Sequence, residues 1–394
     1  MFFLYERSNK LRSFKQQFSQ NELAALGGYD STNYEVITED GYSLWLFRIG
    51  NNSGPPVLLQ HGVMVAADSW ITRTDPKKSL VFMMLKRGFD VWLSNERGTV
   101  FNEYSLDYPK TDPRFWNFSF DQSGYYDTPA FVDTVLEVRN ATKLFYIGHS
   151  LGTVTFLIMA SSRPEYNNKI KAAVLLSPVA IPPAREEQRT PLRLIVDNFG
   201  LINRVLKQFG QLELAPRTEA TINAIKELCD KYENTQTICL DLFGIFTGDD
   251  RKNLDRNDFD FFLLYSASGS SLKTYNHYFG QLAQTGEFKK YDYGPTENLR
   301  RYGNIKPPFY QLDLVTSPVA LFWGYNDPFL SESSVNKLAS QLPNVILNKA
   351  VPDPKFAHND MIIGDNAYIV LYPDVIHVLE SYSDYDVKDV PHEK

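Results

Sequence analysis

The chain has few cysteines, no run of basic residues and no long apolar segment. Only two of its 394 residues are cysteines, which excludes a disulfide-rich scaffold. No stretch of roughly 18 or more apolar residues occurs, so the sequence predicts no transmembrane helix. With 40 Lys and Arg against 47 Asp and Glu, the formal net charge is −7, which argues against binding to nucleic acid.

The composition is otherwise that of a large globular protein. Hydrophobic residues make up 43% of the chain and charged residues 22%, while aromatic residues reach 14%. The length predicts two or three domains, or one large α/β unit with insertions. Residues 1–7 begin with apolar side chains but lack the basic and long apolar segments of a complete signal peptide.

Strands and helices alternate along most of the chain, which predicts a mainly parallel sheet with helices on both faces. The pattern changes after Pro183, where residues 184–308 show helical patterns without a convincing buried strand. We therefore predict an α/β core of residues 1–183 and 309–394, interrupted by a helical cap or lid of residues 184–308. Predicted strands lie at 42–49, 57–60, 89–93, 144–147, 170–176, 318–323 and 345–347, and predicted helices at 79–86, from an N-cap at Thr128, after Ser150, at 193–209, 216–229, 272–284, 331–341 and 366–381.

The strongest local signal is a G-x-S-x-G motif formed by Gly148, Ser150 and Gly152. It falls between a predicted strand and a predicted helix, which is the context of the nucleophile elbow in α/β-hydrolases. Glycines two positions either side of the serine relieve crowding in a tight turn. The Leu151 N–H would lie at the helix N-terminus, where it can stabilise an oxyanion.

A serine hydroxyl needs a general base, and the base needs an acidic partner. His358 lies in a loop after the last predicted strand and is the predicted base. His277 falls inside the helical insertion, which favours a pocket or surface position, and His377 falls within the last helix, where a structural or solvated role is expected. Asp327 follows the preceding strand and is the predicted acid.

Two further aspartates compete with Asp327. Asp360 is two residues from His358, and Asp353 lies beside two prolines as an ordinary turn residue would. The second oxyanion donor is expected from the loop after residues 57–60, where Gly62 permits close approach and the Val63 N–H is the candidate. His61 is expected to orient this loop.

The residues left two readings for Cys229 and Cys239: a disulfide that closes a short loop, or two buried thiols. Three N-x-Ser/Thr triplets begin at Asn51, Asn117 and Asn140 and are candidate N-glycosylation sites. Such triplets also arise by chance, so they support secretion only weakly.

The sequence resembles the acid lipases, the α/β-hydrolase family that includes gastric and lysosomal acid lipases, over about residues 33–381. The resemblance rests on residues 34–42 (YEVITEDGY), 61–63 (HGV) with 70–71 (WI), 90–98 (DVWLSNERG), 115–119 (FWNFS), 126–130 (YDTPA), 280–288 (GQLAQTGEF), 291–293 (YDY) and 358–360 (HND). Two departures are Leu151, where the family usually has Gln, and residues 99–102.

The resemblance implies a hydrolase of neutral-lipid esters, with triacylglycerols or steryl esters as substrates. It implies Ser150, Asp327 and His358 as the catalytic triad, Val63 and Leu151 as oxyanion donors, and a disulfide between Cys229 and Cys239. No metal or organic cofactor is implied, and the expected partners are the lipid substrate and a transient lipid–water interface. The protein would be secreted or lie in the lysosomal or endomembrane lumen.

The cap would then form the acyl pocket and a movable lid. The apolar residues at 199–202 and 205–206 are candidates for the lid's apolar face, although such a stripe is more often simple packing. Two other readings stay open: a short-chain carboxylesterase with the same triad, and a catalytically inactive lipid-binding protein with this fold.

Overall fold

A computed structural model describes residues 19–102, 104–230, 233–248 and 251–383. The N-terminal residues 1–7 lie outside the described residues. The strands are β1 (Ser31–Ile37), β2 (Ser43–Ile49), β3 (Pro56–Gln60), β4 (Asp90–Ser94), β5 (Leu144–His149), β6 (Ile170–Leu176), β7 (Glu213–Leu214), β8 (Ser270–Ser271), β9 (Val319–Trp323) and β10 (Val345–Ala350).

Within the described residues, eight strands form one sheet in the order β1-β2-β4-β3-β5-β6-β9-β10. β2 pairs antiparallel with both β1 and β4, and the other neighbours are parallel. The prediction of a mainly parallel sheet is confirmed. β7 and β8, of two residues each, form a separate antiparallel pair. Both lie within residues 184–308, where the sequence showed no convincing buried strand.

The central strands are apolar on both faces because helices cover both sides of the sheet. Along β5, Leu144 and Tyr146 belong to one buried apolar cluster, and Phe145 and Ile147 belong to the cluster on the opposite face. Successive side chains of a strand point to opposite faces, so a continuous apolar run supplies both clusters.

Most of the predicted helices lie at or near the positions that the sequence indicated. They are α1 (Gln20–Leu26), α2 (Leu80–Lys86), α3 (Phe120–Gln122), α4 (Thr128–Arg139), α5 (Leu151–Ser162), α6 (Thr190–Gln208), α7 (Glu219–Ile225), α8 (Glu233–Thr247), α9 (Arg256–Ser266), α10 (Leu272–His277), α11 (Ala283–Thr285), α12 (Pro295–Tyr302), α13 (Glu332–Gln341), α14 (Asp360–Ile363), α15 (Ala367–Val370) and α16 (Tyr372–Ser381). The predicted closing helix is divided between α15 and α16.

The predicted N-cap at Thr128 is wrong. The helical segment begins at Phe120, capped by Ser119, and passes through a π-helical turn at Ser123–Asp127 into α4. Thr128 itself has helical dihedrals, φ −59° and ψ −45°. The wider turn accommodates the missing N–H of the following proline, which a sequence rule interprets as a helix start.

A buried ion pair holds the loop after β4. The Arg97 guanidinium donates to Asp127 at 2.6 Å and to Asp40 at 2.7 Å, and both Arg97 and Asp127 are almost completely buried. The guanidinium carbon also lies 3.9 Å from the ring centroid of Tyr42. Three segments that are distant in sequence are therefore fixed together beside the end of β4.

Replacing Arg97 by Met should lower the free energy of unfolding by about 3–5 kcal/mol, because it leaves the Asp127 carboxylate buried without its cation. Denaturant unfolding of the purified variant measures this loss. The matched control is Arg300→Met, which breaks an exposed pair with Glu297 and should leave the unfolding midpoint unchanged. Equal midpoints for both variants would contradict the role given to Arg97.

Candidate active site

Ser150 occupies a strained turn between β5 and α5. Its φ of 53° and ψ of −115° lie outside the usual regions for a residue with a side chain, and its N–H donates to the Leu176 carbonyl at 3.0 Å. A Cβ added at Gly148 would lie 2.5 Å from the Gly152 carbonyl oxygen, and one added at Gly152 would lie 2.4 Å from the Gln60 carbonyl oxygen. Both glycines are therefore required by the close approach of backbones.

The structure brings Ser150, His358 and Asp327 into one hydrogen-bonded chain. His358 Nε2 lies 2.8 Å from Ser150 Oγ, and His358 Nδ1 lies 2.6 Å from Asp327 Oδ2. An ionised carboxylate only accepts, so Nδ1 carries the proton and the Nε2 lone pair faces the serine hydroxyl. The other Asp327 oxygen accepts from the Phe329 N–H at 2.8 Å, which fixes the carboxylate.

The competing aspartates bind backbone groups of their own loops. Asp360 accepts from the Ala357 N–H at 2.8 Å, and Asp353 accepts from the Lys355 N–H at 3.0 Å. The imidazole of His358 is thus oriented by Asp327, which comes from the turn after β9.

The backbone of His358 is held from two sides. Its N–H donates to the carbonyl of Thr247, the last residue of α8, at 3.0 Å. Its carbonyl oxygen accepts from His149 Nε2, also at 3.0 Å. The imidazole additionally packs against the ring of Phe329, with centroids 4.8 Å apart.

The loop after β3 passes directly beside Ser150. A Cβ added at Gly62 would lie 3.1 Å from the Cβ of Ser150 and 3.1 Å from Nδ1 of His149. Neither the Val63 nor the Leu151 N–H donates a hydrogen bond to another described residue. Two backbone donors from different elements are therefore available beside the serine.

His61 ties this loop to the end of β4. Its Nδ1 lies 2.7 Å from the Gly62 carbonyl, and its Nε2 accepts from the Glu96 N–H at 3.2 Å. Burial lowers the pKa of His61 to about 4, so the ring stays neutral and keeps both contacts. This geometry fits the orienting role expected for His61.

Neither His277 nor His377 hydrogen-bonds to Ser150 or Asp327 among the described residues. His377 is exposed on α16. His277 is fully buried, so its expected pocket or surface position is wrong: it stacks on Phe120 with centroids 4.0 Å apart and lies 3.6 Å from Asp121. Its apolar and acidic neighbours come from the core segment before α4, which the sequence did not connect with the insertion.

Sequence reasoning missed two buried polar residues near the site. Burial raises the pKa of Glu96 well above its ordinary value, and the Glu96 N–H donates to His61 at the start of the loop after β3. His149 stood inside the G-x-S-x-G motif, but its partner His358 is 209 positions away. Only the assembled sheet brings such a pair together.

Cys229 and Cys239 form a disulfide, with their Cα atoms 5.6 Å apart. This agrees with the pairing that the resemblance implied. Asn51, Asn117 and Asn140 are all exposed, and their glycosylation stays a prediction.

The described residues contain neither a metal-binding cluster nor a membrane-spanning helix. Nowhere in that part of the chain do three His, Cys, Asp or Glu side chains converge to hold a metal ion. None of the helices described is long and apolar enough to span a bilayer.

Two family models match the chain. The α/β-hydrolase fold model matches residues 55–364, and a model of the partial α/β-hydrolase lipase region matches residues 20–74. The chain belongs to the acid lipase family of α/β-hydrolases. The predicted family, fold class and enzyme class are confirmed: this acid lipase relative is a serine hydrolase of carboxylic esters.

Curated relatives cover nearly the whole chain. Lipase 3 of Drosophila melanogaster is 34% identical over 90% of this chain and 91% of its own length. Gastric triacylglycerol lipase of Homo sapiens is 32% identical over 91% of this chain and 90% of its own. Lipase member K of Homo sapiens is 29% identical over 96% and 94%.

Solved structures share the fold at low sequence identity. A protein from Sulfolobus solfataricus superposes with a TM-score of 0.60 at 13% identity, covering 90% of this chain and 94% of that one. A carboxylesterase from Nitrososphaera gargenis gives a TM-score of 0.52 at 15% identity, covering 91% and 100%.

Replacing Gly62 by Ala should lower the turnover of a soluble ester by roughly 10- to 100-fold, because the new Cβ displaces the loop after β3 from Ser150. Steady-state kinetics on a short-chain nitrophenyl ester measure the loss. The control is Gly200→Ala, on exposed helix α6 with no neighbouring atom within 4 Å of the added Cβ. The control should keep full activity and gain up to about 1 kcal/mol of stability. A Gly62→Ala enzyme with unchanged turnover would contradict the close approach.

Proposed function

We propose that this acid lipase relative hydrolyses carboxylic esters of neutral lipids, triacylglycerols or steryl esters, with Ser150, Asp327 and His358 as its catalytic triad. The observation that carries the proposal is the single imidazole of His358 that bridges Ser150 Oγ and Asp327 Oδ2 at 2.8 and 2.6 Å. The relatives named triacylglycerol lipases support the substrate class.

The first half-reaction transfers the acyl group to the enzyme. His358 Nε2 takes the hydroxyl proton as Ser150 Oγ attacks the ester carbonyl carbon. Asp327 stabilises the imidazolium that forms. The carbonyl oxygen becomes an oxyanion and accepts hydrogen bonds from the Val63 and Leu151 N–H groups, each worth about 3–4 kcal/mol in the transition state.

The first half-reaction ends when His358 gives its proton to the departing alcohol oxygen and the C–O bond of the ester breaks, which leaves the acyl group on Ser150. The second half-reaction releases the acid. A water molecule then attacks the acyl-enzyme while His358 accepts its proton, and Ser150 leaves with that proton restored.

An apolar cluster of the cap lies against the oxyanion loop and supports a long acyl substrate. Phe199 of α6 packs with Leu272 and Tyr275 of α10, and Val63 contacts this cluster. An acyl chain bound at Ser150 would therefore meet apolar cap side chains next to the oxyanion donors. We propose that residues 184–308 form the cap and residues 1–183 and 309–394 the catalytic core.

Helix α6 is apolar on its outer side as well. Phe199 is buried, whereas Leu201 and Val205 are 57% and 42% exposed. The exposed apolar residues of this helix and its end are Leu194, Leu201, Ile202, Val205 and Phe209. We propose that they contact the lipid–water interface, since a helix with apolar residues facing solvent gains free energy by entering an interface.

The disulfide supports an oxidising compartment, because such bonds persist in secreted and lumenal proteins and are rare in the cytosol. We therefore propose that the protein is secreted or lies in the lysosomal or endomembrane lumen. The disulfide lies within residues 184–308 and not beside Ser150 in the chain, so the proposed compartment does not predict that a mild reductant abolishes activity.

The substrate class is tested with a series of fatty-acyl esters from butanoyl to octadecanoyl, offered to the wild type and to Ser150→Ala. We expect cleavage of long-chain esters by the wild type and a loss of at least roughly 10³-fold in the variant, because the nucleophile is gone. A peak at butanoyl with no long-chain turnover would indicate a short-chain carboxylesterase. No turnover by the wild type at acid or neutral pH would indicate an inactive lipid-binding protein.

The interface is tested by the double variant Leu201→Gln/Val205→Gln. We expect unchanged turnover of a soluble ester and a roughly tenfold loss on emulsified triacylglycerol, because two apolar side chains no longer enter the interface. The matched control is Val138→Gln/Ile369→Gln, which changes residues 42% and 61% exposed on helices outside residues 184–308. Equal losses in both double variants would contradict a specific role for α6.

A further inference from the structure

His149 connects the strand that carries Ser150 to the loop that carries His358. It is the last residue of β5 and is 2% exposed. Its Nε2 lies 3.0 Å from the His358 carbonyl oxygen, and the centroids of the two imidazoles are 4.9 Å apart. A carbonyl oxygen only accepts, so His149 Nε2 carries the proton of this hydrogen bond.

We propose that His149 is a positioning residue: its Nε2–H holds the His358 backbone and thereby sets the distance between His358 Nε2 and Ser150 Oγ. This inference rests on the proposed function of the triad. The bond ties the base to the same strand end from which the nucleophile projects, because His149 and Ser150 are adjacent in the chain.

The other hydrogen bonds of His358 do not join its backbone to β5, the strand that ends next to Ser150. Its N–H is bound to Thr247 of the cap, and its Nδ1 is bound to Asp327 after β9. The bond to His149 is the contact that joins the His358 backbone to β5 at the centre of the sheet. A backbone held there cannot carry the imidazole away from the serine.

The His149 ring is itself confined. The Trp70 ring meets it edge to face, with centroids 6.4 Å apart, and Gly62 approaches its Nδ1 so closely that an added Cβ would lie 3.1 Å away. Nδ1 is buried and has no hydrogen-bond partner among the described residues. The ring therefore makes one directed polar contact, and that contact is with His358.

A neutral His149 ring keeps its hydrogen on Nε2 and its bond to the His358 carbonyl throughout the reaction. Burial, together with the charge that His358 acquires, lowers the pKa of His149 well below its ordinary value. When His358 becomes an imidazolium, a second cation does not form beside it. The tautomer with hydrogen on Nε2 is thus retained at each step.

The test compares His149→Gln with His149→Met, which match in length but differ in whether they can donate to the His358 carbonyl. Two rates are measured per folded protein: turnover of a soluble short-chain ester, and covalent labelling of Ser150 by a fluorophosphonate. We expect the Met variant to lose about 10- to 100-fold in kcat with KM within about twofold of the wild type. The Gln variant should recover to within about threefold, because its amide replaces the donor.

Equal rates for the Gln and Met variants would overturn the inference while leaving the proposed function intact. A wild type that neither cleaves esters nor reacts with the fluorophosphonate would overturn the proposed function and, with it, a role for His149 in positioning the base.

A second measurement does not depend on the folding of the variants. Nitrogen NMR of ¹⁵N-histidine-labelled wild type reports the tautomer of each ring, with the His149 resonances assigned by through-bond correlation. We expect His149 to be neutral with hydrogen on Nε2 across the pH range in which activity rises. A protonated His149, or hydrogen on Nδ1, would contradict the bond to His358.

Discussion

The close packing of backbone around Ser150 is the constraint on which the rest of the site depends. Gly148, Gly152 and the Gln60 carbonyl meet without room for a side chain, so β3, β5 and α5 converge at one point. That convergence strains Ser150 and presents its hydroxyl, and it leaves the Leu151 N–H at a helix start. The loop after β3 then passes beside the serine, and Gly62 of that loop closely approaches the Ser150 side chain. The proposed nucleophile and the proposed oxyanion donors therefore lie together at a single crowded turn.

His358, the proposed base, follows β10 at the same edge of the sheet as Ser150 and is held by parts of the chain that are far apart in sequence. Asp327 orients the imidazole from the end of β9, and His149 and Thr247 bind the backbone of His358. Burial lowers the pKa of His61 to about 4, and Arg97 is bound to Asp127. Asp327 is held between His358 Nδ1 and the Phe329 N–H.

Sequence reasoning predicted the parallel sheet and brought Ser150, Asp327 and His358 into one group, because each follows a strand and the carboxyl ends of parallel strands share one edge. It failed where a partner lies far along the chain, as with His149 and His358, or where a local rule met an unexpected turn, as at Thr128. It also could not divide the apolar residues of α6 between the core and solvent. Residues such as Phe199 and Leu201 are equally apolar, and only the packed neighbours decide which is buried. The function of the three grouped residues rests on the proposal above.

The hydrogen bond from the His358 N–H to Thr247 fixes one end of the proposed cap to the proposed base. Gly248, with φ of 96°, continues this contact, since a Cβ there would lie 2.3 Å from the Asn326 carbonyl oxygen. The end of helix α8 therefore supports the backbone of His358, while helix α6 has exposed apolar side chains. Under the proposed function, removing residues 184–308 would not simply leave the serine open to substrate, because it also removes Thr247, which binds the backbone of His358.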